Sequence, residues 1–327
     1  MEENLYRLQA KKDCGTVGRV LLIFYKILTD CVSLALVMQA VILTFQGAIE
    51  AAINGVEFDP YSLMQSLMDA VSSNFWGYIV AVGIGLALLF TWKGKAYWSE
   101  QICAKEKKMD VGSFFCLLVF VMSAQLFVQL FAPVLEWLLN KIGLSAMSAL
   151  EMATIDSSSV SAFLYIAFLG PFAEEILFRG LVLRTLRPYG KGMAIVVSAL
   201  LFGLYHGNII QIPYAFLVGL VLAYTALEYS IFWAIVLHVF NNFVLADLMD
   251  RVGKLIPEGV IDIVFMVIIS IAALAALIIG ICRRKEIGAY ARENKVDKTA
   301  MRGFASAPVT WIFTGLMLIS AVFLLFM

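Results

Sequence analysis

The sequence predicts an all-α, polytopic membrane protein with about eight or nine transmembrane helices. Hydrophobic residues make up 62% of the 327 residues and charged residues only 15%, which leaves too little polar surface to enclose a soluble core. The apolar residues also fall in long runs, several of which reach the roughly 20 residues that a helix needs to cross a bilayer. The runs lack the alternation that marks transmembrane β-strands, so a membrane barrel is excluded.

Nine apolar runs follow one another along the chain, and each is a candidate span. The first run has no convincing cleavage site, so we expect an uncleaved helix rather than a signal peptide. The fifth run is short for a span, and it is counted as one only because residues 160–227 must pack as a re-entering bundle. The runs cover residues 20–47, 75–92, 113–139, 160–178, 192–206, 213–227, 230–248, 260–282 and 309–327.

The basic residues between these runs fall mostly on one predicted side of the membrane. If the N-terminus is cytoplasmic, the cytoplasmic segments hold 20 of the 24 Lys and Arg residues, whereas the segment 49–74 on the other side holds none. The positive-inside rule describes this asymmetry. We therefore expect a cytoplasmic N-terminus and, with nine spans, a C-terminus outside. The net charge of zero gives no sign of nucleic acid binding.

Two glutamates and an arginine lie at the end of the fourth run and just beyond it, in the stretch FLGPFAEEILFRG. A charge at the centre of a transmembrane helix costs roughly 2.5–3.5 kcal/mol on insertion scales, so such residues are rare and usually functional. Glu175 and Arg179 are spaced i,i+4 and are predicted to pair. Glu174 points about 140° away from Arg179 and is left for another role. Pro171 is expected to kink or break the helix just before the glutamates.

Both histidines of the chain also lie in membrane runs. His206 ends the stretch SALLFGLYH, and His238 lies in FWAIVLHVFNN, with Asn242 four residues later on the same helical face. At a rise of about 1.5 Å per residue, the two histidines, Glu174 and Asn242 have overlapping depths. They are therefore expected to line one cavity.

This set of side chains suits the hydrolysis of an amide bond. A carboxylate beside an imidazole can activate a water as general base, and a second imidazole with an amide can stabilise an oxyanion. The residues alone leave other interpretations open. The glutamate–arginine pair also fits a structural ion pair, the histidines also fit helix-packing hydrogen bonds, and the whole set also fits a proton or ion relay in a transporter.

Three short motifs follow one another on successive predicted helices. They are Glu174-Glu175-x-x-x-Arg179, Phe202-x-x-x-His206 and His238-x-x-x-Asn242. This ordered set resembles the signature of the CPBP intramembrane proteases, a family that joins Ras-converting CAAX prenyl endopeptidases with bacteriocin-processing and immunity proteins. The resemblance covers about residues 113–250. It implies an all-α membrane endopeptidase with a cavity open to the cytosol and the membrane.

The resemblance also implies a role for each of six residues. Two would activate the water, two would form the oxyanion site and two would hold the first motif in shape. In that order they are Glu174 and His206, His238 and Asn242, and Glu175 and Arg179.

A metal ion is not favoured as a cofactor, although zinc stays possible. The chain has no HExxH motif, and its five scattered cysteines form no metal-binding pattern. If zinc does bind, its ligands would be Glu174, His206 and His238.

The predicted organisation has three parts. Residues 1–112 form N-terminal transmembrane helices and a cytoplasmic loop, 113–250 form the CPBP-like catalytic core, and 251–327 form a C-terminal transmembrane hairpin with a basic cytoplasmic loop. We expect this protein in the plasma membrane of a prokaryote, with the lipid bilayer and a peptide or lipidated protein substrate as partners.

The predicted activity is that of an intramembrane endopeptidase, whose substrate is a CAAX-like lipidated tail, a peptide precursor or a membrane protein. One alternative is a non-proteolytic immunity or scaffold protein of the same family. A proton-coupled transporter is the other, but the sequence lacks the paired repeat of interrupted helices that would support it.

Overall fold

The computed structural model describes residues 2–55, 59–153, 159–253, 255–257 and 259–326. These residues form helices and turns and contain no strand, which confirms the predicted all-α class. We number the helices α1 to α14. They are Glu2–Asn54, Pro60–Ser73, Trp76–Ile102, Val111–Asn140, Met147–Ala153, Val160–Tyr189, Lys191–Tyr205, Gln211–Glu228, Ile231–Asn242, Met249–Gly253, Val260–Cys282, Arg284–Glu293, Lys298–Ala305 and Pro308–Phe323.

Each of the nine apolar runs falls on a helix, but not every one of these helices is long enough to cross a membrane. Within the described residues, six pass by length and composition: α1, α3, α4, α6, α8 and α11. The pair α13 and α14, bent by 67°, would be a seventh. Helix α7 has only 15 residues, and α9 has 12 residues before it continues as the π-helical turn Phe243–Leu248. An integral membrane protein is therefore supported, but the predicted count of eight or nine spans is not confirmed.

The predicted cytoplasmic segments meet at one end of the bundle. Glu228, at the turn between α8 and α9, accepts hydrogen bonds from Lys107 and Lys191 at 2.6 Å each and from Tyr290 at 3.0 Å. These partners come from three other loop segments. At the opposite end, Asn208 donates to the Ala149 carbonyl at 2.7 Å. The loops thus alternate between two ends, as successive antiparallel helices require. Which end faces the cytoplasm stays a prediction.

Helix α1 extends well beyond the predicted span 20–47. Its first turns pack on α13 at a crossing where Gly303 lies against Ala10, and a Cβ at position 303 would come within 2.7 Å of the Ala10 Cβ. The absence of a side chain therefore permits this close approach. Helix α14 packs on α1 and α7, whereas α11 packs along α4. The division of the chain into three parts stays a prediction.

Helix α6 carries the two glutamates and runs through Pro171 without a break. Two π-helical turns, Tyr165–Leu169 and Ile176–Val182, flank the α-helical turn Gly170–Glu175. Pro171 lies at the start of that α-helical turn, where a missing N–H is tolerated. The hydrogen-bond register changes around Pro171 instead of the helix ending there. π-Helical turns are rare and are frequently found at functional sites.

Candidate active site

The glutamate–arginine pair expected from the i,i+4 spacing is present on α6. Arg179 Nη1 lies 3.1 Å from Glu175 Oε1, and both side chains are completely buried. Arg179 Nη2 also donates to the Gly219 carbonyl at 3.3 Å, and the guanidinium lies over the Phe202 ring at 4.3 Å. A buried charge needs such compensation. The Arg179 side chain is enclosed by α6, α7 and α8.

His238, on α9, lies close to both adjacent glutamates of α6. Its Nδ1 lies 2.8 Å from Glu175 Oε1, and since a carboxylate accepts, Nδ1 carries a proton. Its Nε2 lies 3.7 Å from Glu174 Oε2, which is longer than a hydrogen bond. The Glu174 side chain is 22% exposed, unlike that of Glu175. The two neighbouring glutamates therefore differ: Glu175 is buried and paired, whereas Glu174 is accessible to solvent.

The bond between His238 and Glu175 was not anticipated from the sequence. The spacing rule pairs Glu175 with Arg179 because both are on one helix, but His238 lies 63 positions away. No local spacing reveals a contact between two helices. The resemblance had given His238 to the oxyanion site, and its Nε2 atom, on the side of Glu174, remains compatible with that role.

His206 lies at the C-terminal end of α7 and is half-buried. Its Nδ1 is 2.9 Å from the Phe202 carbonyl, which can only accept, so Nδ1 is the protonated nitrogen and Nε2 is left as a potential base. The rings of both histidines meet the Phe202 ring edge-to-face, with centroids 5.0 Å away for His206 and 5.6 Å for His238. In the described part of the chain, no hydrogen bond or ion pair within 4 Å joins His206 to Glu174. The structure brings His238, rather than His206, next to Glu174.

Asn242 is fixed to α6 at the end of α9. Its Nδ2 donates to the Ile166 carbonyl at 3.1 Å, and Ile166 belongs to the π-helical turn Tyr165–Leu169. Its Oδ1 accepts from Asn241 Nδ2 at 3.1 Å, and Asn241 Oδ1 in turn accepts from the Tyr214 hydroxyl at 3.0 Å. An amide has two N–H bonds, and Ile166 uses one. Sequence reasoning missed Asn241 and Tyr214, although the doublet Asn241-Asn242 was a signal.

The residues considered for zinc do not form a ligand set. Among the described residues, no group of three His, Cys, Asp or Glu side chains is arranged to hold a metal ion. His206 Nδ1 is bonded within its own helix, and His238 Nδ1 is bonded to Glu175. A metal-free reaction stays a prediction.

One comparison with known proteins gives a family for this region. Residues 156–244 match the family model described as type II CAAX prenyl endopeptidase, Rce1-like. The matched segment is narrower than the range 113–250 inferred from the motifs, but it contains all six candidate residues. No curated protein and no solved structure matches the chain. The match confirms, for this segment, the resemblance to CAAX-type intramembrane proteases, and at the level of the family it supports an intramembrane endopeptidase.

Proposed function

We propose that this protein hydrolyses a peptide bond within the membrane by means of a water molecule that Glu174 activates. The observation that carries the proposal is the contrast between the two adjacent glutamates. Glu175 is completely buried and bonded to Arg179 and His238, whereas Glu174 is partly exposed and lies 3.7 Å from His238 Nε2. A carboxylate with access to water, held beside an imidazole, suits a general base.

The proposed reaction moves one proton at a time. Glu174 takes a proton from the water, and the oxygen attacks the carbonyl carbon of the scissile bond. In its protonated form, His238 has a second N–H at Nε2, which donates to the developing oxyanion together with the remaining amide proton of Asn242. The proton on Glu174 then passes to the leaving amine as the peptide bond breaks.

His206 has a supporting place in this scheme. Its Nε2 is left as an acceptor because Nδ1 is bonded to the Phe202 carbonyl. Since no direct bond joins it to Glu174, we propose that it acts on the water from a second side. Phe202 contacts both imidazole rings.

The substrate that we propose first is a CAAX-like lipidated tail. The description of the matching family supports this class, and the candidate site lies among apolar helices that a lipid chain can approach. A peptide precursor or a membrane protein segment is the second class. Both carry an amide bond, so the proposed chemistry is the same for either.

The test uses the purified full-length protein in detergent and a farnesylated peptide that ends in a CAAX sequence. The peptide carries a fluorophore on one side of the bond after Cys and a quencher on the other, so cleavage is measured as a rise in fluorescence. We expect cleavage by the wild type, and a loss of about 10²–10⁴-fold in kcat for Glu174→Gln, because a general base typically contributes that much. The matched control is Glu286→Gln, an exposed carboxylate on α12, which should cleave like the wild type.

Two outcomes would contradict the proposal. Full activity in Glu174→Gln removes this residue as the base. An absence of cleavage by the wild type, for the farnesylated peptide and for its unmodified counterpart, argues against the peptidase. Cleavage in detergent also distinguishes a hydrolase from a proton-coupled transporter, because no ion gradient exists there.

A further inference from the structure

A cavity lies at the Glu228 end of the bundle, between the C-terminal part of α3 and the C-terminal part of α6. Its volume is about 650 Å³. The cavity is separate from the candidate active site, since its residues on α6 begin one helical turn beyond Arg179. Its walls are formed by cationic, polar and apolar side chains: Lys93, Tyr97, Gln101, Arg184, Thr185, Arg187 and Pro188.

Positive charge predominates around this cavity. Three of the lining side chains are cationic, namely Lys93, Arg184 and Arg187. Glu106 is hydrogen bonded to Arg187 at 2.8 Å and lies 3.8 Å from Arg184 Nη1. Asp13 is close enough to attract Lys93, but its Oδ2 already accepts from the Tyr189 hydroxyl at 2.6 Å. The cations therefore outnumber the carboxylates, and those carboxylates are already bonded.

Arg184 has donors without acceptors. Its side chain is only 2% exposed, and its Nη2 donates to the Ala226 carbonyl at 3.3 Å. Its Nε and Nη1 have no hydrogen-bond partner among the described residues. Buried donors on a charged group are costly to leave unpaired. A guanidinium presents its N–H groups as a planar fork that fits two oxygens of a phosphate or carboxylate.

The remaining walls suit a polar head at the membrane boundary. The Lys93 ammonium lies 4.3 Å from the Trp92 ring centroid and 5.0 Å from that of Tyr97, and such aromatic residues are enriched where the bilayer meets water. The Tyr97 hydroxyl donates to the Gly180 carbonyl, which fixes this wall to α6. Gln101 is exposed at the rim. Basic pockets between transmembrane helices bind anionic lipid headgroups.

We propose that this cavity binds a phosphate group, either on the headgroup of an anionic phospholipid or as a free phosphate. Arg184 donates to a phosphate oxygen from Nε or Nη1, and Lys93 and Arg187 neutralise the charge of the phosphate. Gln101 and Thr185 supply neutral hydrogen bonds. This binding does not depend on the proposed peptidase reaction, and it gives an unpaired Arg184 donor an acceptor.

The experiment measures ligand binding to the purified full-length protein in detergent by native mass spectrometry. Three probes are added separately: dioctanoyl phosphatidylglycerol, dioctanoylglycerol without phosphate, and inorganic phosphate. We expect phosphatidylglycerol to bind and dioctanoylglycerol to bind weakly or not at all. In Arg184→Gln the affinity for phosphatidylglycerol should fall about tenfold, as the loss of a charge-assisted hydrogen bond implies. Parallel binding of inorganic phosphate would indicate that the phosphate alone is sufficient, whereas its failure to bind would assign the site to the lipid.

Two further variants keep the test independent of folding. Gln101→Glu changes an exposed residue and adds a negative charge at the rim, so it should weaken phosphatidylglycerol binding without loss of structure. Lys285→Gln removes an exposed charge on α12 away from the cavity and should bind like the wild type. Equal binding by the wild type, Arg184→Gln and Gln101→Glu overturns the proposal. Equal weakening by Lys285→Gln overturns it too, because the attraction would then be general.

Discussion

Two carboxylates organise two different regions of this molecule. Glu175 holds Arg179 and His238 within the helices, where all three side chains are at most 5% exposed. Glu228 holds Lys107, Lys191 and Tyr290 at the loop end, where the Lys107 side chain is 67% exposed although Glu228 itself is nearly buried. We call the first group the Glu175 network and the second the Glu228 cluster.

Loss of the central carboxylate has different consequences in the two regions. If Glu228 is lost, water can solvate the lysines that it held. If Glu175 is lost, Arg179 stays buried without its counter-charge, and His238 loses the charged acceptor that orients it. Breaking a buried pair costs much more than breaking an exposed one, because of the uncompensated charge that remains. The two regions should therefore respond very differently to the same Glu→Gln change.

The largest effect is expected from Glu175→Gln. Glutamine keeps an oxygen that can accept from His238 but removes the charge opposite Arg179. We expect the free energy of unfolding to fall by about 3–5 kcal/mol, the usual cost of removing one partner of a buried ion pair. Peptidase activity should fall as well, since His238 is less firmly held. Unfolding in mixed micelles with a rising fraction of denaturing detergent measures the change.

The exposed carboxylate Glu286 provides the control for this variant. Glu286→Gln should leave both stability and activity as they are in the wild type. If Glu175→Gln unfolded at the wild-type detergent fraction, the pair with Arg179 would contribute nothing, and the distinction between the two regions would be lost.

A smaller effect is expected from Glu228→Gln. The change removes two charge-assisted hydrogen bonds, but both lysines can be rehydrated, so we expect a loss of about 1–3 kcal/mol. Activity per folded molecule should change little. Added salt should narrow the difference between this variant and the wild type, because exposed charges are screened, and it should leave the effect of Glu175→Gln nearly unchanged. Equal salt sensitivity of the two variants would show that the regions do not differ in solvent access.

Tyr290→Phe should have a smaller effect still. It removes a single hydrogen bond to Glu228 and leaves both lysines in place. The expected loss is about 0.5–1.5 kcal/mol, the net value of one hydrogen bond. In the double variant Glu228→Gln/Tyr290→Phe, the loss of unfolding free energy should be smaller than the sum of the losses in the two single variants, since both changes affect the same hydrogen bond. Full additivity in the same micelle titration would show that the hydroxyl is not coupled to Glu228.

The two regions also differ in how far the sequence predicted them. The Glu175–Arg179 pair follows from the i,i+4 rule because both residues are on one helix. The bond from His238 to Glu175 and the whole Glu228 cluster join segments that are far apart in the chain, and no spacing rule applies to them. The positive-inside pattern predicts that the basic segments lie on one side of the membrane, but it did not show that one acidic residue contacts three of them.

The sequence also predicted the helices only in part. Within the described residues, the hydrophobic runs predicted the positions of nine apolar helices, because burial in lipid or protein requires the same residue types. They could not predict which helices are long enough to cross, since α7 and α9 are as apolar as their neighbours but have only 15 and 12 residues. The π-helical turns around Pro171 were also missed. They depend on packing between helices, as in the bond from Asn242 to the Ile166 carbonyl.

The smallest effect concerns pH and belongs to the Glu228 cluster alone. The hydrogen bond to Glu228 raises the pKa of Lys107 above its usual 10.5, and burial together with Glu228 raises the pKa of Tyr290 above its usual 10.0. In each case the folded state holds its proton more firmly than the unfolded chain. The resulting stabilisation is complete below the usual pKa and is lost as the pH rises through the folded value.

The wild type should therefore lose its advantage over Glu228→Gln in alkaline solution. We expect the difference in Tm between the two proteins to be smaller at about pH 11 than at about pH 9, because only the wild type has the cluster to lose. Thermal unfolding of both proteins across this range measures the difference and cancels the titration of the other lysines and tyrosines that they share. A difference that stayed constant or grew would mean that Glu228 does not hold protons on Lys107 and Tyr290. The cluster would then be held by packing rather than by charge.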